Sequence, residues 1–153
     1  MARPQQAIMK KSRWRKYFKE YEWWQIWAML QNNRRDPEIC RETAEGKLIV
    51  ITGATSGIGY QTARKYAAMG ADLFLINRNL EKTKALVEEL QTDFQASCQF
   101  HIADLSILEE IKGAAGALIK LDRPIEVIIH NAGVYYTRKE ITADGLEYMF
   151  VVH

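Results

Sequence analysis

The spacing of apolar positions changes near Lys47. Before it, Trp14, Tyr17, Phe18, Tyr21 and Trp24 recur at three- and four-residue intervals, with no Gly and no Pro after Pro4 across residues 5–31. That spacing predicts an amphipathic helix. Asn32 to Ala44 reads as a linker, with Pro37 as a breaker. From Lys47 onward the chain alternates short apolar runs with helical patterns. Leu48-Ile49-Val50-Ile51 lacks any polar interruption, as expected of a strand buried on both faces. A helix is expected over Ile58–Met69, with Gly70 as its terminator. Leu73–Ile76 is a second strand. Residues 80–94 form a helix with Leu86, Val87, Leu90 and Phe94 inward, and Cys98–Ile102 is a third strand. Ser106 with Glu109 has the spacing of a capping box and starts a helix running to about Lys120. Val127-Ile128-Ile129 is a fourth strand. Asp144 with Glu147 repeats the capping-box spacing and opens a further helix.

Strands alternating with helices at this spacing imply right-handed βαβ units and a parallel sheet. The fold class is therefore α/β, a doubly wound parallel sheet of four strands in the order 3-2-1-4, behind an N-terminal amphipathic helix. Three segments follow: a basic aromatic arm over 1–35, a linker over 36–46, and the α/β domain over 47–153. Ligands of such sheets bind beyond the carboxyl ends of the strands, where strand order reverses. The residues after each strand are the candidate functional positions.

After the first strand comes Thr52-Gly53-Ala54-Thr55-Ser56-Gly57-Ile58-Gly59, then a helix. Gly53 permits a tight turn, Gly57 lets backbone approach a pyrophosphate, and Gly59 lets helix and strand pack closely. The N–H groups and the positive end of the helix dipole then face phosphate. With Asn131-Ala132-Gly133 after the fourth strand, this Gly-x-x-x-Gly-x-Gly spacing resembles the short-chain dehydrogenase/reductase family over residues 46–152. Asp144-Gly145-Leu146-Glu147, Phe150 and Val152 look most like its retinol-dehydrogenase and WW-domain oxidoreductase branch.

The resemblance implies a Rossmann-type fold and hydride transfer between a nicotinamide cofactor and a carbonyl or alcohol. It implies pyrophosphate and ribose contacts from Gly53, Ser56, Gly57, Ile58 and Gly59. Asp104, with Leu105 beside it, matches the adenine-binding position, and Asn131, Ala132 and Gly133 support the sheet and line the ribose. At the end of the second strand an NAD enzyme places an acid on the ribose hydroxyls. Here that position is neutral Asn77, followed by Arg78, whose fork of donors suits a 2′-phosphate. The expected cofactor is NADP(H).

The resemblance also places the chemistry on an Asn, a Ser and a Tyr four residues before a Lys in the second half of the fold. This chain has none of that segment. Tyr135 stands four before Lys139 and imitates the pattern, but in the loop after the fourth strand. His153 falls where the Asn would be, and His130 replaces the first Asn before Asn131-Ala132-Gly133. The 153-residue chain is thus expected to be an inactive, cofactor-binding part of an oxidoreductase, with no catalytic residue of its own. The alternative is a non-enzymatic nucleotide-binding or interaction module. Substrate would enter only in a full-length form.

Charge changes the picture of the arm. Residues 1–35 carry nine Lys/Arg against two Glu, whereas residues 36–153 carry twelve Lys/Arg against seventeen Asp/Glu. A basic arm before a mildly acidic domain suggests an anionic partner. Two readings stand: packing on the body or a partner, and attachment to an anionic membrane surface. No nucleic-acid recognition motif is present. The longest apolar run, Trp23–Leu30, is interrupted by Gln25, whereas a spanning helix needs about 20 apolar residues. Asn32, Asn33, Arg34 and Arg35 follow it where a signal peptide would place small residues. Cys40 and Cys98 show no metal spacing and read as reduced thiols of an intracellular, cytoplasmic protein. The fourth strand would lie at a sheet edge, so an oligomer or a partner-dependent protein is expected.

Overall fold

A computed structural model describes residues 22–34, 40 and 42–153. The chain divides into two units, Met1–Arg41 and Glu42–His153. In the first, α1 spans Trp23–Asn32. Glu22, its N-cap, is extended (φ −72°, ψ 138°), so the phase of this helix is set from Trp23. Of the expected helix over residues 5–31, the described residues form helix from Trp23 on, and the part before Glu22 lies outside the described residues. Trp23, Ile26, Trp27 and Leu30 share one face by their spacing, and Trp24 sits on the flank.

In the second unit the order is β1 (Leu48–Thr52), α2 (Gly57–Ala68), β2 (Asp72–Asn77), α3 (Leu80–Phe94), β3 (Cys98–Ile102), α4 (Leu108–Ile119), β4 (Val127–Ile129) and α5 (Tyr148–Val152). The four strands pair in parallel in the order β3-β2-β1-β4. Alternation along each strand sends side chains to two faces. Ile49, Ile51, Leu73 and Leu75 pack with Ala63 and Ala67 of α2 and with Leu86 and Leu90 of α3. Leu48, Val50, Phe74 and Ile76 pack with Ala114 of α4, flanked by Leu118 and Leu121. Helices on both faces explain why β1 reads as continuously apolar: all five of its residues are buried. Each fully buried Leu or Ile contributes about 1.5–3 kcal/mol.

The body takes in residues from the segment read as linker. Ala44 is buried, and its N–H donates to the Met69 carbonyl at 2.8 Å. Arg123 ties the same end of the sheet, donating to Asp72 at 2.6 Å and to the Gly46 carbonyl at 3.0 Å.

Two helix starts differ from the sequence expectation. α4 begins at Leu108, after an Ile107 N-cap that has no side-chain cap bond. Ser106 is drawn the other way: its N–H and hydroxyl both donate to Asp104 Oδ1, at 2.9 and 2.7 Å. The α4 start is served from a distance, because the Leu108 N–H donates to Asp144 Oδ2 at 3.1 Å. Asp144 therefore caps α4 and does not open α5. That helix starts at Tyr148, with Glu147 as N-cap accepting from the Phe150 N–H at 2.7 Å. A capping-box spacing records only that the local partners exist; here Ser106 is taken by its neighbour Asp104 and Asp144 by α4 across the chain.

Candidate functional site

The carboxyl ends of β1, β2, β3 and β4 open into a cleft of about 580 Å³. Of the residues expected there, Gly53, Ser56, Ile58, Arg78, Asp104, Leu105, Asn131, Ala132 and Gly133 line it. Gly57 and Gly59 do not. Gly57 shapes the loop in the left-handed region (φ 57°) with nothing within 4 Å of where a Cβ would stand. Gly59 lies behind the cleft, where a Cβ would collide with the Gly53 carbonyl oxygen and Asn131 Nδ2. Its small size therefore serves the contact between α2 and the two loops rather than a helix–strand contact alone. Gly53 is doubly constrained, by φ 69° and by Ala132 Cα, which a Cβ would approach to 2.8 Å.

The loops after β1 and β4 are bound to each other. Thr52 Oγ1 accepts from the N–H groups of Asn131 and Ala132, at 3.1 and 3.0 Å. Asn131 Nδ2 donates to the carbonyls of Thr52 and Gly53, at 3.2 and 2.9 Å. Asn131 thus builds one wall by bonding backbone. His153 lies over Gly133: a Cβ added there would come within 2.6 Å of its Nε2. His130 is exposed at the end of β4 and does not line the cleft.

The loop after β1 also depends on β2. The Gly53 N–H donates to the Ile76 carbonyl at 2.9 Å, and the Ala54 N–H donates to Asn77 Oδ1 at 2.7 Å. Because an N–H needs an acceptor, the second bond fixes which way the Asn77 amide points. Asn77 is only 3% exposed, and its Nδ2 is a buried donor with no partner among the described residues. The sequence marked Asn77 as the position expected to choose the cofactor; that it also holds the glycine loop was not legible.

Arg78 and Asp104 meet across the cleft, with Nη1 to Oδ2 at 3.7 Å and the arginine side chain 69% exposed. Burial works against the charged form of Asp104. The bonds from the Ser106 N–H and hydroxyl and the nearby Arg78 guanidinium outweigh it, holding the carboxyl below the usual carboxylate range. Further lining residues had no site role assigned from the sequence: Thr55, Asn79, Lys82, Ala103, Val134, Tyr148 and Val152. Lys82 was the one within reach of sequence reasoning, since it is a cation in the first turn of the helix that follows Arg78. Tyr148 and Val152, one helical turn apart on α5, are brought in by the loop after β4. Tyr135 is 84% exposed and lies away from the cleft, so its spacing to Lys139 places nothing at the site.

The residues fit a dinucleotide by three observations. The Ser56 N-cap makes no side-chain bond to the α2 N–H groups, whereas Asn79 caps α3 by accepting from the Lys82 N–H. The start of α2, beside Ser56 and Ile58 on the cleft wall, thus keeps donors and dipole for phosphate. The space at Gly57 is open to close approach of a ligand to the backbone. Finally, the buried Nδ2 of Asn77, a cleft-lining residue, is a donor left without a partner among the described residues.

A parallel sheet with this glycine loop at its switch point defines a class, the Rossmann-type dinucleotide-binding proteins. Residues 47–152 match the short chain dehydrogenase family, and the chain belongs to it. Among its relatives, human Retinol dehydrogenase 11 is 35% identical over 112 residues, covering 71% of this chain and 35% of that protein. Human WW domain-containing oxidoreductase is 33% identical over 109 residues, covering 71% of this chain and 26% of that one. The chain thus spans about a third of the first relative's length and about a quarter of the second's. Among solved structures, a short-chain dehydrogenase from Sphingobium yanoikuyae in complex with NADPH superposes with a TM-score of 0.60 at 30% identity, covering 69% of this chain and 42% of that one. These relatives place the chain in a retinol-dehydrogenase-like branch of a family of nicotinamide-dinucleotide oxidoreductases.

Proposed function

We propose that the body binds NADP(H) in preference to NAD(H), as the cofactor-holding part of an oxidoreductase that moves hydride between NADP(H) and a carbonyl or alcohol. The observation carrying this reading is the group at the end of β2. Asn77, Arg78 and Lys82 line the adenosine side of the cleft, and no acid stands at Asn77 to repel a 2′-phosphate. Arg78 would leave its 3.7 Å contact with Asp104 for the phosphate, a stronger, doubly hydrogen-bonded partner. The freed Asp104 oxygen would accept from the adenine amino group. Gly53, Ser56, Gly57 and Ile58 would hold the pyrophosphate, and Asn131, Ala132 and Gly133 the nicotinamide ribose. Bound cofactor would supply the hydride; this chain's residues bind and orient it.

The 153-residue chain by itself should not turn substrate over. Tyr148 is the tyrosine in the cleft, and the residue four positions on is Val152 rather than a lysine able to lower its pKa. The same feature fits the second reading, a nucleotide-binding module without its own chemistry. Both are tested by titrating NADPH and NADH into the purified chain and following nicotinamide fluorescence and thermal unfolding. NADPH should bind more tightly and raise the unfolding temperature more. Arg78→Ala should weaken NADPH by about tenfold to a hundredfold, or about 1.5–3 kcal/mol, and leave NADH nearly unchanged. Equal losses for both cofactors would remove Arg78 from the phosphate site. Carbonyl reduction above a buffer control would overturn the inactivity of the chain.

A further inference from the structure

The unit before the body carries chemistry that cofactor binding does not use. In α1, Trp23, Ile26, Trp27 and Leu30 recur at the spacing of one helix face, and no residue of the helix is buried. Trp23 is 81% exposed and Trp27 61%. Gln25 and Asn32 stand on the opposite side. Indole rings favour the level where lipid headgroups meet acyl chains, because they combine a large apolar surface with one N–H donor. The acid beside the helix is occupied: Trp24 Nε1 donates to the Glu22 carboxylate. The surrounding sequence, residues 1–35, holds nine Lys/Arg against two Glu. Ten residues of helix reach about 15 Å, half of a hydrocarbon core of about 30 Å. No helix among the described residues is long and apolar enough to cross a membrane.

We propose that α1 docks on an anionic lipid surface and lies in its plane. Trp23, Ile26, Trp27 and Leu30 enter the interface, and the basic residues of the arm sit against the headgroups. Charge complementarity selects this occupant over a neutral apolar partner. An apolar face alone would fit many surfaces, but seven net positive charges within 35 residues favour a dense sheet of negative ones. The docking is independent of whether the cleft prefers NADP(H).

The sequence supplies its own reporter. All four tryptophans, Trp14, Trp23, Trp24 and Trp27, lie in the arm, so tryptophan emission reads this unit alone. The full chain is mixed with phosphatidylcholine vesicles with and without phosphatidylserine. With phosphatidylserine, emission should shift to the blue and the protein should float with the vesicles. Raising salt from about 0.05 to about 0.5 M should reverse both. Each basic residue changed to Gln among Lys10, Lys11, Arg13, Arg15 and Lys16 should weaken partitioning about fivefold. The double variant Ile26→Asp/Leu30→Asp keeps every tryptophan and should abolish the blue shift. Circular dichroism should show its body still folded. Four outcomes overturn the proposal: no binding in low salt, equal binding to pure phosphatidylcholine, an unchanged blue shift in the double variant, or a shift that appears without lipid as protein concentration rises. The last would assign the face to a second copy of the chain.

Discussion

Asn77 joins two tasks that are usually argued separately. Its Oδ1 holds the glycine loop through the Ala54 N–H, and its Nδ2 is a buried donor without a partner among the described residues. Asn77→Asp preserves the first and reverses the second, since a carboxylate accepts at both oxygens. The variant should fold with an intact loop and shift preference from NADPH towards NADH in a direct binding titration. Loss of both cofactors together would show that the amide acts only on the loop. Asp104 gives a pH signature. Its folded-state pKa lies below the usual carboxylate value, so the unfolded chain binds the proton more readily. The stability it contributes is present above that usual value and is lost as pH falls through the folded pKa. Urea midpoints of the native chain should therefore drop more steeply on acidification than those of Asp104→Asn. The gap between them should be widest near neutrality. Parallel curves would assign the acid sensitivity to other groups. Cys98, by contrast, has its thiol pushed up to about 11 by burial and by the charge of Asp72, so it stays protonated at neutral pH.

Between elements, the contact that matters most to the cleft is β1 with the loop after β4. One hydroxyl, Thr52 Oγ1, accepts from two backbone N–H groups. Thr52 is buried, so neither water nor a neighbour replaces it cheaply. Thr52→Val keeps the shape and leaves both donors unpaired, which should cost about 1–3 kcal/mol in a urea melt. Thr52→Ser should restore most of it. NADPH binding should weaken in Val and recover in Ser, because Asn131 to Gly133 form one wall of the cleft. A Thr52→Val protein as stable as the native one would mean that the β4 loop is held by other bonds.

Across the whole sheet the two faces are covered unequally. Opposite α4, Val50 is fully buried, but its neighbour in register on β4, Ile128, is 47% exposed. β4 pairs with β1, and among the described residues no strand lies on its other side. Ile119 and Phe150 are also largely exposed. An apolar strand edge of this kind invites pairing with another chain. The 153-residue chain is therefore expected to self-associate at micromolar concentration, and Ile128→Lys to reduce that association, as read by sedimentation velocity. Amides of residues 127–129 should exchange faster than those of 48–51. A clean monomer with equal protection at both strands would sink this expectation.

The order of strands and the place of the cleft were legible in the sequence. Both rest on local signals: an unbroken apolar run for each buried strand, and glycines at positions whose backbone no other residue fits. Arg78 was found as the residue that immediately follows β2, and Asp104, two residues past β3, through the family resemblance. What the sequence left undecided depends on partners far along the chain. Asp144 caps α4 from 36 residues away, so the capping-box spacings at Ser106 and Asp144 misplaced two helix starts. Asn77 reaches Ala54 across 23 residues, and Thr52 reaches Ala132 across 80. The helix that starts after the extended Glu22 places its apolar stripe on Trp23, Ile26, Trp27 and Leu30. A hydrogen bond depends on distance and direction in space. Periodicity fixes which face a side chain takes, whereas only the folded chain decides which polar group it meets there.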